Sequence, residues 1–299
     1  MSAPSVAVIV GSGRGIGLEL SRLYLAQSKL NLVCLSRDAA AARDAILDSG
    51  RPAPLQVHSN GSSKSSSSEV ASKLDGSRLT TIEADVKSED SLRKASEQVR
   101  EQFGKDSLRF LINVAGVLRV EKNISQVNYE ELLEQFQINT FAPLFAMKHF
   151  SPLIPRSFPS GEEDLSQGLM PDGICVLASL SARVGSISEN KRGGWYGYRS
   201  SKAAQNQITR VLSHELVLRK APAVCVGLHP GTVRTDLSEP FTGGPGGKSG
   251  GEKEDFETRK ARGEFEANES ANLLAGVISN LKMDDGGKVW DWQGKEIAP

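Results

Sequence analysis

Short apolar runs rich in β-branched residues recur along this chain, and a stretch with helical spacing separates each from the next. Val6–Val10 is followed by Gly15–Gln27, where Ile16, Leu20 and Leu23 fall on one stripe, and then by Asn31–Ser36. Further strands are expected over 80–84, 110–114, 174–178, 224–228 and 288–292, with helices near 88–103, 128–150, 195–219 and 268–281. Strands that are apolar throughout are buried on both faces, and parallel neighbours need a connection long enough to hold a helix. The alternation therefore predicts an α/β fold, a doubly wound parallel sheet flanked by helices. A chain of 299 residues with 38% hydrophobic content can bury the core of one such domain spanning 1–299.

Three segments interrupt the rhythm. Residues 51–78 carry a serine-rich run with too few apolar groups to offset ordering entropy, so a flexible insertion is expected there. Residues 155–172, with Pro155, Pro159, Gly161, Gly168 and Pro171, read as a second loop insertion. Residues 238–263 are rich in glycine and charge and follow the carboxyl end of a strand, where open α/β sheets bind ligands; a substrate lid is the expectation. Lysine plus arginine equals aspartate plus glutamate at 36 each, so no net field favours nucleic acid or an anionic membrane. Cys34, Cys175 and Cys225 lie far apart in strand-like runs, which suits reduced, buried thiols and offers no metal-binding spacing. Without a membrane-length apolar run or a leader ahead of Val6, a cytoplasmic protein is expected, although a removed organellar transit segment would leave no mark in this chain.

Directly after the first strand comes Gly11-Ser12-Gly13-Arg14-Gly15-Ile16-Gly17, which opens the first helix. Glycine lets backbone approach a pyrophosphate, and the amides and dipole of the helix start favour its charge, so the pattern predicts a dinucleotide loop. The second strand ends in Ser36-Arg37-Asp38, where an acidic residue would hold a ribose 2′-hydroxyl and an arginine a 2′-phosphate. Arg37 and Arg14 favour NADP(H), while Asp38 keeps NAD(H) as the alternative. Tyr198 and Lys202 lie one helical turn apart and share a face, an arrangement common to solvated helices and to acid–base pairs. Asn113, Asn139 and Asp85 suit caps and turns on their own, and His229 suits packing.

Together these residues resemble the short-chain dehydrogenase/reductase family, of the type with a single Rossmann domain. Its glycine motif matches Gly11, Gly15 and Gly17, and its adenine-contacting pair matches Asp85-Val86. Asn113-Val114-Ala115-Gly116 keeps the first asparagine of the family's Asn-Asn-Ala-Gly and replaces the second. Asn139, the Tyr198-x-x-x-Lys202 signature and the segment from Pro230 to Asp236 complete six ordered matches between Val6 and about Ala298. Residues 181–187 and the Gly-Gly-Trp-Tyr stretch at 193–196 are similar to the C-factor and sniffer branch, which includes carbonyl reductases.

The resemblance implies an NAD(P)-dependent oxidoreductase that interconverts a carbonyl and an alcohol on a small organic substrate by hydride transfer. Tyr198 would be the general acid and base, Lys202 the ammonium that tunes it and meets the nicotinamide ribose, and Asn139 part of a proton relay. Ser12, Arg14, Ile16, Arg37, Asp85, Val86, Asn113, Ala115 and Gly116 would line the cofactor with the glycines of the loop. Pro230, Gly231, Val233 and Thr235 would close over the nicotinamide. The serine that holds the substrate oxygen is assigned to Ser181, although gap-free counting from Gly185 lands on Ala182; a bulge at the strand end would bring Ser181 into place. Segments 183–194 and 238–263 would set specificity. Ala203, Ala204, Val211 and Leu212 would suit a homodimer or homotetramer interface or packing on the sheet. The competing reading is a regulatory protein that senses NADP(H) with little turnover.

Overall fold

The computed structural model describes residues 5–57, 74–158, 163–238 and 255–299. The serine-rich run and most of the expected lid therefore lie outside the described residues. Strands β1 (Val6–Val10), β2 (Asn31–Ser36), β3 (Leu79–Glu83), β4 (Leu108–Asn113), β5 (Cys175–Leu180), β6 (Ala223–His229), β9 (Val289–Asp291) and β10 (Glu296–Ile297) form one sheet in the order β10-β9-β6-β5-β4-β1-β2-β3. β10 pairs antiparallel to β9, and the other pairings are parallel. β7 (Thr232–Arg234) and β8 (Glu264–Glu266) form a separate parallel pair. The order reverses between β1 and β4, so the loops after these strands diverge there and leave a crevice at the carboxyl edge.

Strand alternation divides the core into two layers. Ala7, Ile9, Phe110, Ile112 and Val226 face α1 (Gly15–Gln27), α2 (Ala39–Leu47) and α8 (Ala267–Ser279), meeting Leu20, Leu23, Ile46 and Leu274. Val6, Val8, Val10, Leu111 and Leu177 face the opposite layer of α3 (Glu89–Phe103), α5 (Ala142–Phe150) and α6 (Tyr196–Leu218), meeting Leu92, Val99, Met147 and Phe150. Each fully buried aliphatic side chain contributes about 1.5–3 kcal/mol from burial. The expected helix over 128–150 is instead α4 (Tyr129–Phe136), a π-helical turn at Gln137–Phe141, and α5. The short β7, β8 and β10 and helix α7 (Phe256–Ala261) lack a periodic run long enough to reveal them.

Local chemistry fixes several element ends. Asp38, Ser88 and Asn128 accept amide hydrogen bonds at the starts of α2, α3 and α4. Buried Arg109 donates to the Ile174 and Pro171 carbonyls at 2.8 Å each and ties the loop after α5 to the sheet. The three cysteines are free and buried, and burial pushes the Cys34 and Cys175 thiols up to about 12. Val211 is exposed, whereas Leu212 packs against the core. Among the described residues no helix is long and apolar enough to cross a membrane.

Leu20→Ala empties a closed position between α1 and the sheet and is expected to cost about 2–5 kcal/mol in urea unfolding. Leu218→Ala, at a residue 83% exposed, should change stability by less than about 0.5 kcal/mol. Equal losses would show that the two-layer core is wrongly drawn.

Candidate functional site

The loop between β1 and α1 is shaped by close backbone contacts. Gly11 and Gly15 have φ of +88° and +55°, in the left-handed region where side chains are strained. A Cβ on Gly17 would lie 2.1 Å from the Gly11 carbonyl oxygen, and one on Gly11 would lie 2.8 Å from the Ala115 amide nitrogen. The loops after β1 and β4 thus meet across the crevice with no room for side chains. No side chain caps α1, and its first turn carries no acidic residue, so its amides suit an anion. At the end of β4, the Asn113 amide donates to the Ala115 carbonyl at 3.3 Å, while its buried Oδ1 accepts no hydrogen bond within the protein. A glycine cradle and an unpartnered acceptor at the strand switch fit a dinucleotide.

The remaining expected cofactor residues fall into different surroundings. Ser12 is buried and donates to the Leu35 carbonyl at 3.2 Å, and Ile16 is in the core beneath the loop. Asp38 Oδ1 accepts from the Ala41 amide at 2.8 Å, so this carboxylate caps α2, while Arg37 is exposed beside it. Asp85 Oδ1 accepts from the Lys87 amide at 3.0 Å, and Val86 packs on the core beside β3. Arg14 pairs with Asp236 at 2.9 Å. Its loop also abuts the segment after β6, because a Cβ on Gly15 would lie 3.3 Å from Thr235 Cγ2. In that segment Gly231 has φ +80°, and its α-carbon leaves no space beside Phe265 and the Gly263 carbonyl. The Pro230 carbonyl accepts from Ser270, Val233 is buried, and Thr235 Oγ1 donates to the Val233 carbonyl.

α6 presents a buried polar stripe: Tyr198, Ser201, Lys202, Gln205, Thr209 and Ser213. Lys202 Nζ lies 5.8 Å from the centre of the Tyr198 ring and donates to the Leu180 carbonyl at 2.6 Å and to Gln205 Oε1 at 2.9 Å. Burial pushes the Tyr198 phenol up to about 12 and the Lys202 ammonium down to about 7. The phenol is therefore protonated at neutral pH, the state a proton donor needs. His229, at the end of β6, is driven down to about 4, first by burial and then by the charge of Arg183, and is neutral under the same conditions.

Asn139 sits in the π turn and braces the loop after β4. Its Oδ1 accepts from the Val117 amide and its Nδ2 donates to the Val117 carbonyl, both at 2.9 Å, with Ser201 Oγ at 3.1 Å. The expected bulge in β5 is not found, because β5 and β6 stay in register from Cys175 to Leu180. Strict alternation points Ser181 at α6, where its hydroxyl donates to Asn206 Oδ1 at 2.5 Å. Asn206 is two helical turns past Tyr198, about 12 Å along the axis. Ser179, also buried, has an Oγ with no partner in the protein.

The sequence reading missed a bracket around the first turn of α6. The Glu121 carbonyl accepts from the Trp195 amide at 2.7 Å, and Glu121 Oε1 accepts from the Gly197 amide at 3.3 Å. Gln135 Oε1 takes the Arg119 amide at 3.1 Å. A Cβ on Gly197 would lie 2.2 Å from Gln135 Nε2 and 2.9 Å from Glu121 Oε1, which explains the glycine beside the tyrosine. Gln205 had a signal, since it continues the row from Tyr198 and Lys202 at i+7. Glu121 and Gln135 come from distant segments and had none.

A doubly wound sheet with a glycine cradle at its switch point and a buried tyrosine–lysine pair on the adjoining helix defines a class of dinucleotide-dependent oxidoreductases. The sequence matches the family described as enoyl-(acyl carrier protein) reductase over residues 53–281, and the chain belongs to the short-chain dehydrogenase/reductase family. It is an oxidoreductase of that family. C-signal of Myxococcus xanthus is 31% identical over 187 residues, covering 62% of this chain and 90% of that protein. An NADPH-bound carbonyl reductase from chicken fatty liver is 26% identical, with a TM-score of 0.70 over 100% of this chain and 95% of that one. The carbonyl reductase Sniffer of D. melanogaster shares the fold, with a TM-score of 0.71 at 24% identity over 100% of both chains.

Lys202 gives a stability test. Its folded value is about 7 against an ordinary 10.5, so between these the unfolded chain binds the extra proton and stability rises with pH. His229 contributes below this window, whereas the buried thiols and Tyr198, which ionise near 9 and 10 in the unfolded chain and only near 12 when folded, oppose the rise above about pH 8.5. The urea midpoint, measured without added cofactor, should rise from about pH 7 to about pH 8.5. Lys202→Met should remove most of that rise; an unchanged slope would place Lys202 in contact with solvent.

Proposed function

We propose that this protein interconverts a carbonyl and an alcohol on a small organic molecule, using NADP(H) and Tyr198 as general acid and base. The burial of Tyr198 and Lys202 together on one face of α6 carries the reading. Both lie near the carboxyl end of β5, on the edge of the sheet that bears the glycine cradle. The cofactor would be held by the loop at 11–17, by Asp85, Val86, Asn113, Ala115 and Gly116, and by Pro230, Gly231, Val233 and Thr235. Arg14 and Arg37 would face the 2′-phosphate, a choice supported by the commitment of Asp38 to the cap of α2. NADPH, when bound, supplies hydride to the carbonyl carbon.

The side chains of this chain account for the other half of the reaction. As the carbon–oxygen π bond opens, Tyr198 gives its phenolic proton to the oxygen, and the alcohol O–H forms. The Lys202 ammonium stabilises the phenolate left behind. Asn139 acts by holding Val117, and with it the wall of the crevice. Oxidation of the alcohol runs the proton transfer backwards. Segments 183–194 and 238–263 would select the substrate.

NADPH absorbance followed with a panel of aldehydes, ketones and quinones tests this reading. Tyr198→Phe should lower kcat by about 10² to 10⁴ without a matching loss of NADPH binding. Unchanged turnover in that variant would refute the assigned acid. The engagement of Ser181 by Asn206 favours a second reading, an NADP(H) sensor with little turnover, and NADPH binding with no turnover across the panel would select it.

Ser181 is proposed to hold the substrate oxygen only if its bond to Asn206 is exchanged. With the hydroxyl placed as it is, Ser181→Ala is expected to keep kcat within about threefold and to lower stability by about 1 kcal/mol. A loss of about 10² or more in kcat would put the hydroxyl at the reacting oxygen.

A further inference from the structure

Gln205 is almost wholly buried, in the row of α6 that carries Tyr198 and Lys202. Both ends of its amide are engaged. Oε1 accepts from Lys202 Nζ at 2.9 Å, and Nε2 donates to the Leu180 carbonyl at 3.1 Å. That carbonyl also accepts from Lys202 at 2.6 Å, so ammonium, amide and carbonyl close a triangle at the last residue of β5. Packing alone does not call for an amide here. A methionine would fill the same space, and a buried amide is costly unless both of its ends are bonded.

We propose that Gln205 is a positioning residue for the Tyr198–Lys202 pair: clamped on the Leu180 carbonyl, its amide fixes the Lys202 ammonium at the end of β5. The proposal rests on the reading of Tyr198 and Lys202 as the acting pair. An ammonium has three N–H donors, and two are pinned by these acceptors, so the direction of the third is set. Without Gln205 the flexible lysine stem would pivot about a single carbonyl.

The same contact bears on charge. Burial disfavours the ammonium, and among the described residues no carboxylate pairs with it. Neutral acceptors that bond the charged form are what oppose that burial. Tyr198 is the titratable side chain in contact from α6, and β5 presents a carbonyl. The turn at Arg183–Gly185 packs Gly185 against the lysine stem, while its Arg183 is paired with Glu189 and Asp291. His229 of β6 is neutral in the relevant range.

The test is an NMR titration of the full chain labelled with ¹³C at lysine Cε, the Lys202 signal being assigned by its loss in Lys202→Met. The Lys202 midpoint should fall by about one pH unit in Gln205→Met, a tenfold change in proton affinity, and rise above wild type in Gln205→Glu. NADPH-linked reduction by Gln205→Met should show kcat about tenfold lower, substrate KM changed by less than about threefold, and the high-pH limb displaced toward lower pH. Gln205→Glu should return that limb to at least its wild-type position. A Lys202 midpoint unmoved by both substitutions overturns the proposal, and so does a uniform loss of rate with an unaltered pH profile. Should Gln205→Met fail to fold, an unmoved midpoint in Gln205→Glu overturns it alone. Tyr198→Phe, assayed in parallel, separates the two claims: full turnover there removes the acid–base reading of the site, whereas the midpoints judge the contact between Gln205 and Lys202 by themselves.

Discussion

An amine buried against the end of a parallel strand is the constraint around which this site is organised. Lys202 has left water for a place where a carbonyl and an amide oxygen are its partners. Such burial is tolerable only where the acceptors are already fixed, and they are fixed because Leu180 ends a strand held in register on both sides. The helix that carries the lysine must also keep a constant depth and rotation against that strand. Its polar stripe, its bracketed first turn and the bond from Ser181 to Asn206 all serve this end. The sheet supplies rigidity, and α6 converts it into a placed phenol and ammonium.

Much of the fold was legible because its strands are apolar without interruption and its longer helices keep a clean stripe. The expected ranges overlap seven of the eight strands of the main sheet, all but β10, and the bounds of β1, β2 and α1 coincide with the sequence reading. What escaped notice was short or non-local. β7 and β8 have three residues each, too few for a period to appear, and they are held by contact with Gly263 and by the ion pairs of Arg234 with Glu264 and Glu266. Trp292 packs edge-on against Phe265 of β8, a pairing that joins segments no local pattern connects.

The candidate site divides along the same line. Gly11, Gly15 and Gly17 announce themselves, because positive φ and backbone contact admit little else. The tyrosine and lysine follow from their spacing. Ser181 shows the limit of such reasoning: the residue type was visible, but which side of β5 it takes depends on whether the ladder slips, and that is decided by pairing with β6. Arg14 makes the same point, since its partner Asp236 is 222 positions away.

The π turn at Gln137–Phe141 has a geometric consequence beyond the placement of Asn139. A widened turn amounts to one extra residue in a helix, and one residue advances the helical phase by about 100°. The two halves of this element therefore answer to different masters. Gln135, before the widening, is aimed at the glycine next to Tyr198, while Ala146, Met147 and Phe150, after it, are aimed at the sheet. Excising a single residue from the turn would straighten the rod and wind one half out of phase with the other, so that either the tyrosine's neighbour or the sheet would lose its covering.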